Sequence, residues 1–297
     1  MKPEEIRQHI RKLKLTARRL IHAFSEGSFR TLFHGRGIEF ATLREYVPGD
    51  DIRQIEWNTT ARRGAPYVKT FVEERDLSVM LMIDLSSSMD IKWETVVGVT
   101  TILTTLADLH DDRIGCLGFT QKIEFFLPPR KNPLQQERIL HLLLTSVKGV
   151  RKTSLTQALA FLRRVMKKHS ILFIISDFLD RGFERNLSAL AQKHELVGLY
   201  VHDPMEARLP EKAVLSSYDP ESGKRALFDG YDSKTRSAYR AFFEQQKQML
   251  LKCFARAKAD LLLLPAAEGA ELRLVEFLRR RQVSRVPLQF VSTEAEH

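Results

Sequence analysis

Two apolar runs, LSVMLMID at 77–84 and ILFIIS at 171–176, each deliver an aspartate at the carboxyl end, Asp84 and Asp177. Neither run alternates polar and apolar residues, so neither suits a strand with one face in water. Runs of this kind belong to a mostly parallel sheet buried on both faces by helices. Helical spacing follows the first run over 91–109, where Trp93, Val96, Val97, Thr100, Leu103 and Leu106 recur at three- and four-residue intervals. The alternation continues with strands expected at 112–119, 122–127, 171–176 and 195–201 and helices at 133–147, 154–168 and 182–192. The expected fold class is therefore α/β, a doubly wound, mostly parallel sheet flanked by helices.

The ends of the chain read differently. Residues 3–25 place Ile6, Ile10, Leu13, Ala17, Leu20, Ile21 and Phe24 on one helical face, with Arg7, Arg11, Lys12, Lys14, Arg18 and Arg19 elsewhere. Such a helix packs its apolar stripe on the rest of the protein. A basic amphipathic helix also suits peripheral contact with an anionic membrane surface. Between about 27 and 74 periodicity vanishes, which predicts an ordered but irregular segment. There Arg44, Glu45, Asp50, Asp51, Arg53, Glu56, Arg62 and Arg63 are candidates for ion pairs, and Tyr46 and Trp57 for aromatic anchors of a docking surface. Residues 211–230 predict a β-hairpin around Pro-Glu-Ser-Gly, inserted before a helix at 233–257, a last parallel strand at 259–264 and a helix at 268–281. The expected organisation is an N-terminal helix and irregular segment (1–75) packed on a main domain (76–285), then a loose tail (286–297).

The 297 residues are 43% hydrophobic with a formal charge of +10, enough apolar material for a full core. Two cysteines are too few for a disulfide framework. No signal-like apolar stretch follows the charged start, and no uncharged run reaches the ~20 residues needed to cross a bilayer. The expected location is cytoplasmic. Basic residues are dispersed and do not interleave with aromatics in a stacking pattern, so an acidic protein partner is favoured over nucleic acid.

Chemistry concentrates where the two strands end. In open α/β sheets ligands bind outside the carboxyl ends of the strands. Asp84, Ser86 and Ser88 offer three oxygens in five residues after the first run, Thr153 precedes the helix expected from 154, and Asp177 follows the second run. Hydroxyls and carboxylates are the donors that Mg2+, Mn2+ or Ca2+ prefer. Serines after a strand also cap the next helix, and that reading stands beside the metal one. Because removing a carboxylate from a cation site relieves repulsion in the metal-free state, Asp177→Ala should weaken metal and partner binding together and leave the fold intact.

The series Asp84-x-Ser86-x-Ser88, then Thr153, then Asp177 resembles the metal-ion-dependent adhesion site of von Willebrand factor A domains. The resemblance implies that Ser86, Ser88 and Thr153 touch a metal, that Asp84 and Asp177 act directly or through water, and that a partner's carboxylate takes the open position. Upstream, GRGIEFATLREYVPGDDIRQIEWNTTARRG and the hairpin phrase YDPESG resemble the bacterial family catalogued as domain of unknown function 58. That likeness implies a MoxR-type AAA+ ATPase as partner, contributing an acidic residue. The implied function is a metal-dependent protein-interaction module without catalysis. One departure is the pair Arg151 and Lys152 beside Thr153, where small residues are usual. The alternative is a Mg2+-dependent phosphatase or nuclease using Asp84 and Asp177. Position 86 is serine where a phosphoaspartyl enzyme needs a second acid, and neither a G-x-S-x-G elbow nor a phosphate-binding loop occurs.

Overall fold

The computed structural model describes residues 3–23, 38–48, 50–73, 78–146, 151–203, 214–218, 225–266, 269–283 and 289–290. They fall into two compact units, one comprising Met1–Phe33 with Ser78–His297 and the other His34–Leu77. The first helix falls with the sheet, and His34–Leu77 forms a unit of its own.

In the larger unit, α1 (Pro3–Ala23) buries Ile6, Ile10, Ala17 and Ile21. Ile6 and Ile10 pack with Leu140 and Leu144, while Lys14 and Arg18 reach Glu137 and Asp108 at 3.6 and 3.4 Å. The smaller unit pairs β1 (Ile38–Glu45) with β2 (Tyr67–Glu73) antiparallel, around α2 (Trp57–Arg63). Regular structure thus replaces the irregular segment expected there. A register shift between Phe40 and Thr42 explains why no alternation was visible. Asp50 takes both guanidinium nitrogens of Arg44, at 2.7 and 2.8 Å, and Trp57 stands exposed.

The central sheet uses β3 (Ser78–Asp84), β4 (Arg113–Phe119), β5 (Ile123–Arg130), β6 (Ile171–Ser176), β7 (Glu195–His202), β10 (Asp260–Pro265) and β11 (Gln289–Phe290) in the order β11-β10-β7-β6-β3-β4-β5. All neighbours are parallel except β4 and β5. At the edge, β5 runs on through Pro128 and Pro129 to Arg130, since an edge strand tolerates residues that donate no ladder bond. Strand β11 lies inside the stretch expected to be a loose tail. The remainder of 286–297, like the turn of the expected hairpin, lies outside the described residues. The arms of that hairpin, β8 (Val214–Tyr218) and β9 (Arg225–Asp229), pair antiparallel as a separate two-stranded sheet.

Helices cover both faces. Contacts link α3 (Trp93–Leu109) to α1, to α4 (Gln135–Thr145) and to α8 (Ala270–Val283). They also join α5 (Leu155–Val165), α6 (Glu184–Ala191) and α7 (Ser233–Ala257) into the second layer. Alternate strand residues Met80, Met82, Leu172, Ile174, Leu261 and Leu263 pack with Leu159, Leu187 and Phe254 of that layer. Their sequence neighbours Val79, Leu81, Ile83, Phe173 and Ile175 are buried too, which is why the runs read as uninterrupted. At the far edge Arg281 ties α8 to the sheet through Asp260 at 2.5 Å and Glu195 at 2.6 Å.

His194, just before β7, is buried, and its two ring nitrogens have no hydrogen-bond partner among the described residues. Burial, then the charges of His169 and Lys193, push its imidazole down to about 4. An unfolded imidazole titrates near 6.5, so the unfolded chain takes up the proton first. The stability that His194 contributes is full above about pH 6.5 and is lost as pH falls through about 4. Urea unfolding between pH 4 and 7 should show a shallower acid decline for His194→Leu than for wild type. Parallel profiles would contradict this.

Candidate metal centre

Strand order reverses between β3 and β6: from β3 the chain moves to β4 and β5, and from β6 to β7 and β10 on the other side. That switch point opens a crevice at the carboxyl ends of adjacent strands, and there β3 ends in Asp84 and β6 in Ser176, with Asp177 next in the chain.

After Asp84 the chain closes a 3-10 turn, Ser87–Met89, with Ser86 as its N-cap. Ser86 makes no side-chain capping bond, and α3 begins from Lys92 without a side-chain cap either. Instead the hydroxyls of Ser86 and Ser88 face each other, Oγ to Oγ 3.1 Å. The turn is held from outside, because the backbone of Arg151 both donates to Ser87 Oγ (2.7 Å) and accepts from the Ser87 N–H (3.0 Å). This pairing brings in the loop that carries Thr153.

Asp84 is wholly buried. Its Oδ1 accepts from the Ser86 N–H at 2.9 Å, and its Oδ2 accepts from the hydroxyls of Thr153 at 3.0 Å and Ser176 at 2.7 Å. Burial, and after it the charge of Asp177, push the Asp84 carboxyl up to about 6 against the opposing pull of the bonds from Ser86 and Ser176. Asp177 is buried as well, and its Oδ2 receives the ammonium of Lys92 at 3.1 Å while its Oδ1 accepts a long bond from the Leu179 N–H at 3.4 Å. The Lys92 side chain is 0% exposed. Phe178 adopts φ 52°, an uncommon backbone conformation for a bulky residue, and its N–H bonds Ser176 Oγ at 3.0 Å. The turn after β6 is thereby fixed to the same serine that holds Asp84.

A family model described as Protein of unknown function DUF58 matches residues 42–249. The chain belongs to the DUF58 family. An uncharacterized protein of Mycobacterium tuberculosis is 31% identical over 224 residues, covering 72% of this chain and 70% of its own length. An uncharacterized protein of Mycobacterium avium is 26% identical over 160 residues, covering 52% and 94%. Among solved structures, the conserved hypothetical protein BatB of Bacteroides thetaiotaomicron shares 15% identity at a TM-score of 0.44, covering 70% of this chain and 100% of that one. An aerotolerance-related membrane protein of Bacteroides fragilis shares 13% at 0.45, covering 69% and 99%. At these scores neither likeness carries an argument about the site.

All the site residues of this DUF58 chain lie inside the matched span. Ser86, Ser88, Thr153 and Asp84 form one bonded cluster, with Asp177 near enough for its charge to act on Asp84. Two members were not singled out from the sequence. Ser176, the last residue of an apolar strand, was hidden beside the aspartate it precedes. Lys92 is one lysine at the mouth of an apolar helix, and no spacing marks it. The two cations that looked out of place separate: Arg151 pairs with Asp90 at 2.9 Å, and Lys152 is exposed. Gly149 and Val150 lie outside the described residues.

No three of His, Cys, Asp and Glu converge among the described residues, so the donors here are hydroxyls with two carboxylates, a hard-cation set. Neighbouring ligands on an octahedron with Mg2+ bonds of ~2.1 Å lie about 3.0 Å apart, and Ser86 Oγ and Ser88 Oγ are 3.1 Å apart. The residues fit such an ion.

Proposed function

We propose that this chain is a metal-dependent protein-interaction module of the von Willebrand factor A type, cytoplasmic, serving as adaptor or cofactor for a MoxR-like AAA+ ATPase. The observation that carries the reading is the pair of hydroxyls on Ser86 and Ser88, spaced as adjacent ligands and backed by two buried carboxylates at the switch point of the sheet. Ser86, Ser88 and Thr153 would hold Mg2+, Mn2+ or Ca2+, with Asp84 orienting the Thr153 hydroxyl and the Ser86 backbone. The bound ion supplies a positive centre with a position open to an acidic side chain of the partner. Lys152, beside the groove formed with Thr120, Phe125 and Leu142, adds positive charge on the approach, while Lys122 there is paired with Glu124.

The rival reading, a Mg2+-dependent phosphatase or nuclease using Asp84 and Asp177, has less support. Asp84 is 0% exposed and both its oxygens already accept hydrogen bonds, so it is poorly placed to attack a phosphorus atom. Asp177 is engaged by Lys92.

Titration calorimetry of the chain against the purified ATPase tests the proposal. Binding is expected with Mg2+ and at least about tenfold weaker with a chelator, a difference of about 1.4 kcal/mol. Equal affinity in both conditions refutes metal-mediated recognition.

A further inference from the structure

We infer that Lys92 is a built-in counter-cation of this site: its ammonium stands at Asp177 in place of part of the charge a divalent ion would bring, letting the metal-free protein fold while holding the site's affinity for such ions low. The inference rests on the proposed cation site and adds how that site is regulated. A lysine side chain with no exposure is rare, because its ammonium gives up water and must find a counter-charge. Here that counter-charge is the Asp177 carboxylate, 3.1 Å away and itself buried. Lys92 lies just past the turn carrying Ser86 and Ser88 and opens α3, so the same short stretch provides both hydroxyls and the competing cation.

The charges explain why it matters. Asp84 and Asp177, both buried, together carry two negative charges when ionised. With Lys92 the net charge is one negative. A divalent ion entering between the hydroxyls then meets a weaker net attraction, because the Lys92 charge repels it and a buried setting screens that repulsion weakly. Such a site loads and unloads reversibly and does not need the ion to fold. Asp177 Oδ1 accepts a long bond of 3.4 Å from Leu179 N–H and is the less committed of the two oxygens, since Oδ2 holds Lys92 at 3.1 Å.

The test is Mn2+ binding followed by electron paramagnetic resonance, with thermal unfolding in chelator and in Mn2+, on the wild-type chain, Lys92→Gln, Lys92→Met and the double variant Lys92→Met with Asp177→Asn. Wild type should melt at nearly the same temperature in both media and bind Mn2+ weakly. Lys92→Gln, which keeps a hydrogen-bond donor toward Asp177, should bind Mn2+ roughly tenfold or more tightly. Lys92→Met should melt earlier in chelator and recover with Mn2+. The double variant, with both charges gone, should regain stability in chelator without responding to Mn2+. If wild type binds Mn2+ and Lys92→Gln binds it no better, or if the double variant stays as unstable as Lys92→Met, Lys92 is a packing residue only and the inference is overturned while the cation site stands. If no variant binds Mn2+, the proposed site falls and the inference falls with it.

Discussion

Asp177→Ala is expected to lower the stability of the metal-free protein by about 3–5 kcal/mol, the usual cost of removing one partner from a buried ion pair. Seen as a surplus carboxylate in a cation site, Asp177 looked dispensable to the fold. The buried pair leads to the opposite expectation, because the substitution takes from the Lys92 ammonium, with no side-chain exposure, its carboxylate. Relief of repulsion at Asp84 offsets part of the loss, since the Asp84 carboxyl then needs less work to ionise. Urea unfolding at neutral pH in the presence of chelator measures the change. A midpoint within error of wild type would mean that Lys92 finds another counter-charge or reaches water.

Phe254→Ala should cost about 3–5 kcal/mol, as for other buried aromatic truncations. Phe254 is fully buried on α7, edge-on to Phe178 with ring centres 5.4 Å apart. It lies over Gly198 of β7, where a Cβ would come within 2.5 Å of its ring. The absence of a side chain at Gly198 lets the ring sit down on the sheet, so truncation opens a void that neighbouring backbone cannot easily fill. Phe178 is the residue with positive φ directly after Asp177, and its ring also meets Phe183 and Tyr200. Loss of the Phe254 ring therefore loosens the packing that holds this turn in an unfavourable conformation. Weaker cation binding should accompany the lost stability. A destabilisation below about 1 kcal/mol would show that the cluster repacks around the gap.

The elements most legible in the sequence were those with a long, single period. Residues 233–257 read as a helix and form α7 over Ser233–Ala257, and the run at 77–84 becomes β3 from Ser78. Strand β1 was not legible, since the shift between Phe40 and Thr42 breaks its two-residue period. Strand β11, with two residues, has no period to read. At the site, Asp84, Ser86, Ser88, Thr153 and Asp177 stood out because their side chains carry oxygen and follow strands or precede a helix. Lys92 did not, because a lysine near a helix start is ordinarily a surface residue. Only the tertiary arrangement, which brings the end of β6 beside the start of α3, makes it a buried ion-pair partner.

Mn2+ binding to the purified chain, with and without the paired substitutions Ser86→Ala and Ser88→Ala, bears most directly on the proposed cation site. Those hydroxyls, 3.1 Å apart, are the ligands whose removal leaves both carboxylates and the Lys92 pair in place. Wild type should bind one Mn2+ per chain, displaceable by Mg2+, and the double variant should bind it at least about tenfold less tightly, a loss of about 1.4 kcal/mol, while still folding in chelator with stability lowered by about 1 kcal/mol for the lost bonds of the buried Ser86 hydroxyl. No binding by either wild type or Lys92→Gln at millimolar Mn2+, or the same affinity in the folded double variant, would contradict a metal centre at the end of β3.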